Sequence, residues 1–182
     1  MDEPSRNHCK RQRIRRWRLA RHGRHPSRIE RQHDAARGSD LVVSYLLDTN
    51  IVSAWARRNN PALMAKMLAT APADLAVSVL VEHELRYGFA RNPAVKTWPL
   101  IEQLLALIPS LPLTRPIASR AAELRSDLAA AGTPIGPYDL LIAATALEHG
   151  ATLVTNNVRE FARVPGLSVE DWLASEQSPP NA

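Results

Sequence analysis

Tyr45-Leu46-Leu47-Asp48-Thr49-Asn50 carries an apolar run straight into a carboxylate, a hydroxyl and an amide. The run begins at Leu41 and is rich in branched residues, which suits a buried strand. Ile51-Val52-Ser53-Ala54-Trp55 then continues with helical spacing. An acid at the C-terminal end of a buried parallel strand stands where open α/β sheets receive their ligands. The same three polar residues are also good helix N-caps, and for this stretch taken alone capping is the favoured reading. The choice depends on what the rest of the chain brings to the same place.

Outward from that strand, strands and helices alternate. A helix over about 51–58 is followed by another that opens at Asn60-Pro61, with Leu63, Met64, Met67 and Leu68 as its apolar stripe. Leu75 to Val79 reads as a second strand that passes into a helix ending near Gly88 or Phe89. The next helix, about 94–108, contains Pro99 and is expected to start late or kink there. Leu111 to Leu113 is at best a short strand. Pro116 opens a helix that ends at Gly132, and Pro137 stands at the first position of another, Tyr138 to His149. Strands follow at Ala151 to Thr155 and near Leu167 to Val169. This order predicts an α/β fold with a short, mostly parallel sheet and right-handed crossovers.

Charge is distributed unevenly. Residues 1–40 hold twelve Lys or Arg against five acids, whereas residues 41–182 hold eleven against thirteen. The basic character therefore belongs to the first forty residues and not to the folding body. Those residues, with Arg11-Gln12-Arg13-Ile14-Arg15-Arg16-Trp17-Arg18 at their centre, are too poor in aliphatics to offset the entropy of ordering. They read either as a disordered arm that attracts phosphates or as an over-long start upstream of the true one. The expected domain spans 41–174, and 175–182 reads as a frayed tail. No apolar run is long enough for a membrane span, and no apolar stretch of signal-peptide type follows the basic start. A single cysteine, Cys9, suits a reducing cytoplasm.

Three carboxylates stand out. Asp139 heads a stripe with Ile142, Ala143, Ala146 and Leu147, and an acid on such a face needs a partner or a cation. Its place in the first helical turn also fits an acid that satisfies free backbone amides. Glu84 borders the face marked by Val81, Leu85, Gly88 and Phe89, where a solvated glutamate is the ordinary reading. Asn157 follows another strand end and alone reads as a turn residue. Taken together with Asp48, these residues fall at strand ends or in the adjoining helices, which a parallel sheet brings to one edge. Hard oxygen donors without paired His or Cys suit Mg²⁺ or Mn²⁺ and not Zn²⁺. The chemistry such a set supports is metal-assisted phosphodiester hydrolysis.

From Leu41 to Trp172 the chain resembles the PIN-domain ribonuclease toxins of bacterial type II toxin–antitoxin modules, the VapC family. The resemblance rests on Leu47-Asp48-Thr49-Asn50, on Ser78 through Glu84 to Gly88, on Gly132-Thr133-Pro134-Ile135-Gly136-Pro137-Tyr138-Asp139, and on Leu153 through Asn157 to Phe161. It implies a three-layer α/β/α domain and a Mg²⁺-dependent endoribonuclease, with Mn²⁺ as an alternative ion. Asp48, Glu84 and Asp139 match the acidic metal positions. Asn157 stands where many members have a fourth acid. Asn50, Thr155 and Ser78 match supporting polar positions. Arg86, Arg91, Arg159 and Arg163 are candidate RNA contacts. The resemblance further implies an RNA substrate, with tRNA favoured, a cognate VapB-type antitoxin, a homodimer, and promoter DNA bound only through the antitoxin. No membrane partner is expected.

Two other readings compete. A phosphatase with Asp48 as nucleophile needs an acid two positions on, where Asn50 stands. A non-catalytic PIN-like RNA-binding or regulatory module is compatible with Asn157 and with the basic arm.

Overall fold

The computed structural model describes residues 42–174, so the expectations for 1–40 and for the 175–182 tail lie outside the described residues. Five parallel strands form one sheet: β1 Tyr45–Leu47, β2 Leu75–Ser78, β3 Ser110–Leu111, β4 Thr152–Val154 and β5 Val169–Glu170. Their spatial order is β3-β2-β1-β4-β5, which puts the first strand in the centre. Tyr45 pairs with Leu75 on one side and with Thr152 on the other. The buried strands read as continuous apolar runs, as expected when helices cover both faces.

Among the described residues seven helices accompany them: α1 Thr49–Arg57, α2 Pro61–Ala69, α3 Val79–Arg91, α4 Trp98–Leu107, α5 Arg115–Ala130, α6 Pro137–Glu148 and α7 Val158–Phe161. From β1 to β3 the chain steps across the sheet in one direction, and through α5 and α6 it returns past β1 to β4. Right-handed connections then place the two sets of helices on opposite faces. This is the three-layer α/β/α arrangement. Helices α5 and α6 pack along each other, and α1 packs against α3 and α4.

Several boundaries differ from the periodicity. Helix α1 begins at Thr49, two residues early, because the Asp48 carbonyl already accepts from the Ile51 and Val52 amides. Strand β2 stops at Ser78, whose hydroxyl accepts from the Val81 amide and starts α3. Helix α3 runs past Gly88 to Arg91, since a lone helical glycine costs only about 1 kcal/mol against alanine. Pro99 is the second residue of α4 and does not kink it, so that helix starts late, at Trp98. The short 3₁₀ turn Pro72–Asp74 and helix α7 have too few residues to show a period.

Helix α6 is buried nearly all round, through Leu140, Ile142, Ala143, Ala144, Thr145 and Ala146. It ends where Gly150 takes a φ of 62° and turns the chain into β4. Among the described residues no helix is long and apolar enough to cross a membrane.

Candidate active site

The strand order reverses between β1 and β4, and open α/β sheets bind ligands in the crevice that such a reversal opens at the C-terminal strand ends. Asp48 stands at the end of β1, and its backbone amide donates to the Val154 carbonyl of β4 at 3.0 Å. The residue is only 6% exposed. Both carboxylate oxygens have partners: Oδ1 accepts from the Thr49 amide at 2.7 Å, and Oδ2 accepts from the fully buried Thr155 hydroxyl at 2.7 Å. Capping and site formation are thus combined in one side chain, because Asp48 is itself the N-cap of α1.

Glu84, one turn into α3, accepts the Thr49 hydroxyl. Thr49 therefore bridges two acids, its amide to Asp48 and its side chain to Glu84. The supporting role expected of Asn50 falls to this neighbour; Asn50 is exposed. Asp139 lies in the first turn of α6, half-buried, with Oδ2 2.7 Å from where a Cβ on Gly136 would stand. Only glycine leaves that carboxylate its present position.

Repulsion and burial mark these acids. Burial pushes the Asp48 carboxyl up; the Thr155 and Thr49 hydrogen bonds pull it back, and the charge of Glu84 raises it again. Asp139 is pushed up to about 6, first by burial and then by the charges of Glu160, Asp48 and Glu84. Glu160 is a site acid that sequence reasoning missed. It accepts from the Asn157 side-chain amide at 2.9 Å and from the Gly136 amide at 3.3 Å. Asn157 occupies the expected strand end and turns its amide to Glu160, while its backbone amide donates to the Thr155 hydroxyl at 3.1 Å. A carboxylate three residues from Asn157, one helical turn away, was the available signal.

The other supporting and RNA-contact residues stand elsewhere. Ser78 is buried as the cap of α3 and does not reach the acids. Arg86 pairs with Glu82 at 2.7 Å, Arg91 lies over the Tyr87 ring, and Arg163 donates to the Pro134 carbonyl at 3.4 Å. Arg159 is exposed. Among the described residues no three His, Cys, Asp or Glu side chains are drawn together tightly enough to cage an ion unaided. The donor chemistry still fits a hard divalent cation: four carboxylates and no thiolate, with burial and then neighbouring negative charge raising Asp139.

An acid-lined crevice at the switch point of a short parallel sheet is the architecture of a PIN domain, and the PIN domain family matches residues 45–167. Comparison with known proteins narrows the class. The chain is 32% identical to the tRNA(fMet)-specific endonuclease VapC of Salmonella typhimurium over 132 residues, covering 72% of this chain and 99% of that one. It is 34% identical to ribonuclease VapC2 of Rickettsia felis, covering 70% and 97%. The fold matches the DNA-bound VapBC structure from Salmonella typhimurium with a TM-score of 0.66 at 30% identity, over 71% of this chain and 98% of that one. It also matches VapBC2 of Rickettsia felis bound to a fragment of promoter DNA, with a TM-score of 0.65 at 30% identity, over 71% and 99%. The chain belongs to the VapC family of PIN-domain ribonuclease toxins.

Proposed function

We propose that this ribonuclease toxin is a Mg²⁺-dependent endoribonuclease, able to use Mn²⁺, that hydrolyses phosphodiester bonds in structured RNA, with tRNA as the favoured class. The observation that carries the reading is the gathering of acids at the strand-switch edge: Thr49 joins Asp48 to Glu84, and Asp139 stands near enough that burial first and then their charges raise its carboxyl. Mutually repelling carboxylates at a substrate edge are stabilised by a shared cation.

Asp48, Asp139 and Glu84 would hold the ion, with Glu160 and Asn157 closing the far side. When bound, the cation activates water and offsets charge on the leaving oxygen. The protein's own residues prepare that position. Thr155 and Thr49 fix both Asp48 oxygens, and Thr49 ties Glu84 to the same rim. Gly136 leaves Asp139 room to turn toward the crevice. The catalytic set is accordingly Asp48, Glu84, Asp139 and Glu160, with Asn157 orienting Glu160.

The solved VapBC relatives support assembly with a VapB-type antitoxin. The reading adds that this antitoxin covers the crevice and that the toxin forms a homodimer. Promoter DNA would be contacted through the antitoxin. The reading takes 41–174 as the PIN domain and the basic sequence of 1–40 as an extension to it or an over-long start.

The test is incubation of purified protein with bulk tRNA in Mg²⁺, Mn²⁺ or EDTA. Cleavage is expected with either metal, and loss is expected in EDTA and in Asp48→Asn. Cleavage that persists in EDTA would falsify the mechanism. RNA that binds but stays intact with every divalent ion tried would instead favour a non-catalytic RNA-binding module.

A further inference from the structure

On α3, Val79, His83, Tyr87 and Arg91 recur every four residues and form one outward stripe, all of them exposed. Apolar and aromatic groups in such a row usually face a core, yet Tyr87 is 58% exposed and Val79 39%. The stripe starts at the C-terminal edge of the sheet, where β2 passes into α3, and continues away from it. At that edge it meets Tyr138, which is 47% exposed and stands edge-on to His83 with ring centroids 6.0 Å apart. The Arg91 guanidinium lies 5.9 Å from the centroid of the Tyr87 ring.

At the sheet edge this surface is tied by sequence to the acids. His83 precedes Glu84, and Tyr138 precedes Asp139. Tyr87 follows Glu84 by three residues, close to one turn along the same helix. Rings beside a carboxylate rim, with a guanidinium 5.9 Å from the centroid of one of them, lack the features of a metal subsite or of an ordinary solvated face. Exposed aromatic faces backed by Arg are the means by which proteins hold unpaired bases, each ring taking a base that no longer stacks on its neighbours.

We propose that Tyr138, His83 and Tyr87, with Arg91, form a stacking platform for unpaired RNA bases flanking the bond to be cut. The platform deepens the ribonuclease reading and rests on it. It selects substrate by demanding splayed bases next to the crevice, so a loop enters and a continuous duplex does not. Arg91, beside Tyr87, supplies charge to the neighbouring phosphate. The acid rim repels RNA phosphate until a cation is present, and the platform holds the strand there by its bases.

The experiment uses the full chain with Tyr87→Leu, Tyr138→Leu and the double variant, each beside its Phe counterpart. Both positions are largely exposed, so the substitutions leave the core intact. Binding is measured by fluorescence anisotropy in EDTA, with a short mixed-sequence single-stranded RNA and with the same RNA made abasic. Each Leu variant is expected to bind the base-bearing RNA about five- to a hundredfold more weakly. The Phe variants should keep wild-type affinity, and all forms should bind the abasic RNA alike. In tRNA cleavage, KM should rise in the Leu variants with kcat nearly kept. Leu variants that match wild type in both assays would overturn the platform, as would wild-type protein that binds abasic RNA as tightly as the base-bearing one. A wild-type dimer that dissociates on Tyr87→Leu, seen by sedimentation, would assign the face to a second copy of the chain and also overturn it. Failure of the ribonuclease reading is separate: wild-type protein would then leave RNA intact in Mg²⁺ and Mn²⁺.

Discussion

The Thr155 hydroxyl donates to Asp48 Oδ2 at 2.7 Å, joining two residues 107 positions apart across the β1–β4 junction. Both side chains are buried, so neither has water in reserve if the other is lost. Thr155→Val keeps the shape and removes the donor, leaving a buried carboxylate oxygen unsatisfied. Stability should fall by about 1–3 kcal/mol in denaturant titration. Mg²⁺ affinity should drop roughly 10- to 100-fold, as when the partner that orients a metal-binding carboxylate is removed. Thr155→Ser should restore most of both. A Val variant with unchanged stability and metal binding would show that the hydroxyl does not hold Asp48.

Asp139→Asn should abolish Mg²⁺-dependent cleavage and yet stabilise the metal-free chain at neutral pH. The folded carboxyl is raised to about 6 from an ordinary 3.8, so between these values the native state holds more protons than the unfolded one. Stability from this group is therefore fully present below the ordinary value and lost as pH rises through about 6. The neutral amide escapes that loss. Urea unfolding in EDTA should show the variant ahead of wild type at pH 7.5, with the gap closing near pH 4. A variant less stable at pH 7.5 would contradict the charge crowding.

Metal affinity should carry the same proton. Mg²⁺ has to displace it from Asp139, so binding measured calorimetrically should weaken as pH falls through about 6, releasing protons there and few above about pH 7, where the carboxyl is already ionised. A Mg²⁺ affinity flat from pH 5 to 8 is the result that would remove Asp139 from the ion's surroundings.

Gly136→Ala separates folding from chemistry. Its φ of −59° and ψ of 150° suit alanine, but the new methyl would lie 2.7 Å from Asp139 Oδ2. The carboxylate can swing away at little cost, so unfolding should shift by less than about 1 kcal/mol. Cleavage should fall on the order of a hundredfold, because small misplacements of reacting groups have effects of that size. Activity within twofold of wild type would mean that Asp139 tolerates another position.

Glu160→Gln tests the acid that was not foreseen. Removing its charge should lower the Asp139 carboxyl toward its ordinary value, measurable by NMR titration of that side chain. Cleavage should fall while the Asn157 contact survives through the amide oxygen. An unshifted Asp139 titration would place Glu160 outside the cluster.

Much of the layout is legible in the residues themselves. Apolar runs ending in polar triplets mark β1 and β4, and Pro and Gly bracket α5 and α6, because these signals depend on local backbone preference alone. Asp48, Glu84 and Asp139 stand out as carboxylates on otherwise apolar or bordering faces. Glu160 escapes notice because α7 is a single turn, too short to set up a face on which an acid would look out of place. The choice of Thr49 over Asn50 as bridge is invisible for a similar reason. It depends on the direction in which α3 delivers Glu84 to the start of α1, a matter of packing that no spacing encodes.

The central position of the first strand sets the order in which the proposed site is assembled. Asp48 is made early, but its second oxygen has no partner until β4 emerges from the ribosome and inserts beside β1. Glu160 arrives later still. A nascent or truncated chain ending before Thr152 thus carries three acids without the strand that aligns them. On the proposed site, competence to cut RNA waits until both β4 and α7 have been made.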